Sequence, residues 1–279
     1  MASLELFRAA AKTALKIRTR AGYSVARPCD VYQLILRCRL ELQFFAVLTL
    51  EGIYLEDGNT RRICVSAFRP PGRQRFTAAH ELAHSVLSHG TKVDTIEELR
   101  ECAREDDVDE QLADMFATSL MMPSSAVHSG FRFRNIDLKK PTPAQLYRVA
   151  TWLGVGYSTL GNYLFYSMKA ISSQQLKQLL RCEPKMIKSE LIRQQTTKEV
   201  FEFDALWNGE RAHGQVGDFF TGITTVYDDV LTPVRDGVFL ANAPGQTTAA
   251  LVSGGTVEVN ISRQNYIGFC EYRYLPEEN

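Results

Sequence analysis

The pentapeptide His80-Glu81-Leu82-Ala83-His84 constrains the fold more than any other feature of this chain. Two imidazoles four residues apart face the same way on an α-helix, where they lie one turn above each other. The surrounding sequence meets that demand. Phe76, Ala79, Ala83, Val86 and Leu87 recur at helical apolar spacing, and Pro70-Pro71-Gly72 breaks the chain beforehand. The spacing predicts a helix from about Arg75 to Leu87 with His80 and His84 on one face. Such a pair can bind one tetrahedral zinc ion at about 2.0–2.1 Å each. Glu81, offset by one position, would stand beside the ion and take a proton from a water activated there. The competing reading is a surface helix carrying two histidines and a glutamate by coincidence.

A catalytic zinc needs a third protein ligand and an open fourth position. The segment DEQLADMFATSLMM, closed by Pro123, reads as a second strong helix and supplies the candidates. Glu110 and Asp114 are four apart and share a face. Ala113 and Ala117 beside them are small, which would let this helix approach the first closely. Glu110 would bind the ion, and Asp114 would accept the free N–H of a ligating histidine and fix its tautomer. Asp109 is the fallback ligand, and the bland alternative is that the acids face water. His89 and His128 read as solvated or packing histidines.

Around these helices the chain reads as α+β. A helix is expected over about Ala2 to Thr19. Asp30 can cap a second helix through VYQLILRCRL, and ELQFFAVLTL, EGIYLE and RRICVSAF are β-rich with a hairpin turn at Asp57-Gly58-Asn59. The charged stretch TIEELRECAREDDVDE leads into the Glu110 helix. Further helices are expected after Thr142-Pro143, with Gly154 as the stop, then from a Ser158 cap, and around SSQQLKQLLR and PKMIKSELIR. After about Lys198 short Gly-, Val-, Thr- and aromatic-rich runs (GDFFTGITTVY, VRDGVFLANA, GTVEVNISR, YIGFCEYRYL) carry the turn signals of a small β module. The expected layout is a metal-site domain over 1–140, a helical, helix-turn-helix-like region over 141–197, and a β-rich sensor or interaction domain over 198–279.

Composition narrows the setting. Thirty-two basic residues balance thirty-two acidic ones, so no global field draws the chain to nucleic acid or an anionic membrane. The six cysteines are scattered singly without a C-x-x-C pair, which fits reduced thiols in a cytoplasmic protein. The Arg/Lys-rich start lacks the apolar core of a secretory signal, and no run of eighteen apolar residues exists to span a membrane.

RQRFTAAHELAHSVLSHG followed by DEQLADMFATSLMMP resembles the ImmA/IrrE family of bacterial zinc peptidases, which pairs an H-E-x-x-H helix with a later E-x-x-A-x-x-F-A-x-x-L-x-M-P helix. The second pattern falls here on Glu110, Ala113, Phe116, Ala117, Leu120, Met122 and Pro123. The firm resemblance covers about residues 28 to 125. It implies a zincin-like domain, Zn2+ held by His80, His84 and Glu110, and Glu81 as catalytic acid/base. It further implies an endopeptidase making site-specific cuts in a helix-turn-helix transcriptional repressor or an operon-encoded partner. Two departures stand out: Ala83 where the family often has Gly, and Asp114 where it commonly has Asn.

The segment from Pro143 to Met168 has the rhythm of a helix-turn-helix, yet TLGNYLFYSMK offers one lysine, so direct nucleic-acid binding is not expected and a buried helical pair is the favoured reading. Tyr147, Tyr157, Tyr163 and His128 are open candidates to steady an oxyanion. Trp207, Tyr227, Tyr266, Tyr272 and Tyr274 suit a β core or a docking platform. The alternative function is a DNA-binding or protein-interaction regulator that holds zinc without proteolysis.

Overall fold

The computed structural model describes residues 2–95, 107–226, 228–235 and 237–275. The charged stretch after β4, with Cys102, falls largely outside them, as does Tyr227. The described chain mixes α and β structure and divides into two compact units: Met1–Ser129 with Leu153–Val155 and Asn265–Cys270, and Gly130–Trp152 with Gly156–Gln264 and Glu271–Asn279.

The first unit is built on a five-stranded mixed sheet. Helix α1 (Ala2–Arg20) and α2 (Val31–Arg37) lead into β1 (Glu41–Phe45), β2 (Leu50–Asp57) and β3 (Thr60–Ser66). Asp30 caps α2, its carboxylate accepting from Gln33 N–H. The β2–β3 hairpin closes on Asp57 opposite Thr60, with Gly58 at a positive φ of 55°. After β3 come α3 (Pro71–Leu87), β4 (Lys92–Thr95) and α4 (Val108–Met121). Sheet order is β13-β1-β3-β2-β4, where β13 (Gly268–Phe269) arrives from far along the chain to pair antiparallel with β1. Part of the C-terminal run YIGFCEYRYL, expected in the β module, is therefore a strand of this sheet.

Helix α3 starts at Pro71, four residues earlier than the apolar spacing predicts. Proline fits the first helical position because the N–H it lacks would find no intrahelical partner there. The helix packs on β2 and β3 on one side and on α4 on the other, and α4 in turn packs on α1. Ala78, Ala79 and Ala83 of α3 and Ala113 and Ala117 of α4 have no exposed surface. Small side chains on both helices allow the close approach the alanine pattern foreshadowed. Arg18 is also fully buried, its guanidinium donating to the carbonyls of Leu120, Ser24 and Arg27. It ties α1 to the last turn of α4, where a cation complements the helix dipole.

The second unit holds α6 (Pro143–Leu153, in part), α7 (Tyr157–Asn162), a π-helical turn (Tyr163–Ser167), α8 (Ser173–Arg181) and α9 (Pro184–Leu191), following α5 (Ser124–Arg132). Gly154, at φ +75°, ends α6 as expected, whereas Gly156 rather than Ser158 stands at the start of α7. Leu146, Val149, Ala150, Trp152, Leu160 and Leu164 are buried, whereas Ser158, Asn162 and Tyr166 are exposed, so the two helices bury one apolar face and leave the other to solvent. Two four-stranded sheets follow, β5-β7-β10-β9 and β6-β12-β11-β8. Their strands are β5 (Val200–Glu202), β6 (Arg211–Gln215), β7 (Phe219–Thr221), β8 (Ile223–Val226), β9 (Leu231–Arg235), β10 (Val238–Ala241), β11 (Gly245–Leu251) and β12 (Thr256–Ser262). Phe201 stacks on Phe220 with ring centres 4.8 Å apart, and Phe203 and Trp207 complete an aromatic core. Arg134, in the turn after α5, grips Asp204, just past β5, through two hydrogen bonds of 2.6 and 3.1 Å.

Candidate metal centre

Helix α3 supplies His80, Glu81 and His84, all buried, and α4 supplies Glu110 and Asp114. The N-terminus of α4 is fixed by Asp107, whose carboxylate accepts from the N–H groups of Asp109 and Glu110. That cap sets Glu110 in the first turn, facing α3. His80 Nε2 lies 3.1 Å from His84 Nε2 and 3.0 Å from Glu110 Oε2, and His84 Nε2 lies 3.4 Å from Glu110 Oε1. Three donors around a tetrahedral ion at about 2.0–2.1 Å stand roughly 3.3–3.4 Å apart. The residues therefore fit one zinc-sized ion, and among the described residues they are the one His/Cys/Asp/Glu group so arranged.

His80 Nδ1 lies 2.8 Å from Asp114 Oδ1. Burial alone would lower the His80 imidazole, but its hydrogen bonds to Asp114 and Glu110 outweigh burial and raise it well above the ordinary histidine value. His84 moves the other way. Burial lowers it, and the positive charge on His80 lowers it further.

Glu81 is fully buried, its carboxylate set against β2. A Cβ at Gly52 would overlap Glu81 Oε1 and come within 2.5 Å of Thr77 Cγ2. An isolated glycine inside EGIYLE is the sequence signal of such a close approach. Asp109, the fallback ligand, stands outside the three-donor group. It lies 3.6 Å from His89 Nε2 and 3.7 Å from Lys92 Nζ. Lys92 also reaches Asp107 at 3.4 Å and Glu110 at 4.0 Å, bracing the start of α4.

The remaining histidines part company. His128 is exposed, as its solvated reading expects. His89 folds back so that its Nδ1 meets His84 Nδ1 at 3.0 Å, and burial lowers its pKa. On a continuing helix it would have faced away; the turn at Ser88 changes that. Of the tyrosines weighed for an oxyanion role, Tyr147 and Tyr157 are buried with their hydroxyls donated to Val200 and Leu179 carbonyls.

Residues 45–164 match the family model described as IrrE N-terminal-like domain, Peptidase_M78. No curated protein matches the chain. Among solved structures it is similar to a Mycobacterium tuberculosis transcriptional regulator, at 18% identity and a TM-score of 0.35. That likeness covers 56% of this chain and 45% of the regulator, so the chain spans less than half of that protein's length. No described helix is long and apolar enough to cross a membrane. Both helical motifs that carry the resemblance, the His80–His84 pentapeptide and the Glu110–Pro123 segment, lie within the residues 45–164 that match the IrrE N-terminal-like model.

Proposed function

We propose that the chain is a zinc-dependent endopeptidase of the cytoplasm that makes site-specific cuts in a protein, its substrate a helix-turn-helix repressor or an operon-encoded partner. One observation carries the reading: two imidazole nitrogens and a carboxylate from neighbouring helices converge with spacings of 3.0–3.4 Å. The family match supports the peptidase class, and the substrate class rests on the family resemblance.

In this reading His80, His84 and Glu110 hold the metal. When bound, zinc would polarise the scissile carbonyl and bring the pKa of a water down to about 7. Glu81 takes the proton of the attacking water and later delivers it to the leaving amine. The buried setting of Glu81 beside Gly52 limits its rotamers and keeps bulk water from competing for its oxygens. Asp114 holds His80 with Nδ1 protonated, so that Nε2 presents its lone pair to the ion.

The test is to incubate the zinc-loaded protein with repressors encoded beside it, with and without chelator, alongside Glu81→Gln. Discrete fragments that vanish with chelator and with the variant are expected. Intact repressors in the presence of fully zinc-loaded protein would overturn the peptidase reading and leave a regulator that binds zinc without proteolysis.

A further inference from the structure

Both histidines of the centre have an outer ring nitrogen, and each is engaged. His80 reaches Asp114 of α4 directly. His84 Nδ1 instead lies 3.0 Å from His89 Nδ1, and His89 Nε2 lies 3.6 Å from Asp109 Oδ1, also on α4. The backbone explains how a residue five positions on returns to the helix it has left. Ser88 adopts the left-handed conformation, φ 60° and ψ 43°, and His89 N–H closes back onto the His84 carbonyl at 3.0 Å. That closure seats the His89 ring edge-to-face against His84, with ring centres 5.2 Å apart, and leaves 7% of its side chain exposed.

We infer that His89 is a positioning residue for His84, fixing the ring and the tautomer of the second metal-binding histidine, with its own far nitrogen 3.6 Å from the Asp109 carboxylate. The inference rests on the metal-site reading above. His84 with its Nε2 lone pair toward the ion must carry its proton on Nδ1, and His89 Nδ1 accepts that proton's hydrogen bond. His89 then carries its own proton on Nε2, facing the Asp109 carboxylate. His80 is thereby held by a carboxylate of the helix that supplies Glu110, and His84 by an imidazole whose far nitrogen approaches Asp109 of that same helix.

Zinc affinity by chelator competition, the visible spectrum of the cobalt(II) form, and melting of the metal-free protein, compared across wild type, His89→Ala and His89→Asn, test this. Asn can place its amide oxygen near the position of Nδ1. His89→Ala is expected to weaken zinc binding by about 10- to 100-fold and shift the cobalt bands. His89→Asn should restore most of both, with metal-free melting unchanged in either variant. Wild-type affinity and spectrum in His89→Ala would overturn the inference alone. So would loss of affinity in both variants matched by an equal drop in metal-free melting. Failure of the wild type to take up one zinc would overturn the metal-site reading and this inference with it.

Discussion

Glu81 Oε1 occupies the space that a Cβ on Gly52 would fill. Strand β2 therefore sets where the candidate base can sit, and the glycine is required for room rather than for backbone freedom. Gly52→Ala should displace the Glu81 carboxylate while leaving both histidines and Glu110 in place. Cleavage is expected to fall on the order of 100-fold, with about 1–3 kcal/mol lost in stability from overpacking. Parallel assays of turnover and zinc content check this, because zinc should remain near its wild-type level.

Asp114 stands 2.8 Å from His80 Nδ1 but half of its side chain is exposed. Removing it should disturb the ion without unfolding the helix. Asp114→Ala is expected to weaken zinc binding by about 10- to 100-fold, and Asp114→Asn, the residue common in the family the chain resembles, by less. Competition against a chromophoric chelator measures both.

Arg18 is a buried cation whose partners are backbone carbonyls of a loop and of the last turn of α4. Arg18→Ala would orphan those carbonyls and open a cavity. A loss of about 3 kcal/mol or more is expected, read as a lower denaturant midpoint. Replacing the exposed Arg20 should change little.

Asp218 lies in the second unit, where burial raises its carboxyl from 3.8 to about 7 although it accepts from the N–H groups of Gln215 and Glu199. The folded state keeps this proton between about pH 4 and 7 while the unfolded chain has released it. Stability from this group is therefore present at low pH and is lost as pH rises through about 7. Asp218→Asn loses an acceptor at every pH but has nothing to ionise. Its stability deficit relative to wild type should shrink between pH 5 and 8 in denaturant titrations.

Much of the site could be read from sequence because its geometry is local to two helices. The four-residue spacings of His80 with His84 and of Glu110 with Asp114 share helical faces, and the alanines beside them reported a close helix contact. The Asp30 cap and the Asp57-Gly58-Asn59 hairpin were equally local. What escaped depends on long-range pairing or a single dihedral angle. The pairing of Gly268 with Phe44 spans most of the chain, and no short-range pattern encodes it. Placement of His89 turns on the left-handed conformation of Ser88, which helical periodicity cannot foresee. The apolar rhythm also missed the first turn of α3, because Pro71 and Gly72 carry no periodic signal.

The central claim, that one divalent ion is held by two imidazoles and one carboxylate while Glu81 is spared for chemistry, is tested most directly by elemental analysis of purified protein. Wild type and Glu81→Gln should each carry about one zinc per chain, whereas His80→Ala, His84→Ala and Glu110→Ala should carry almost none. Full zinc occupancy in Glu110→Ala, or none in the wild type, would contradict the account.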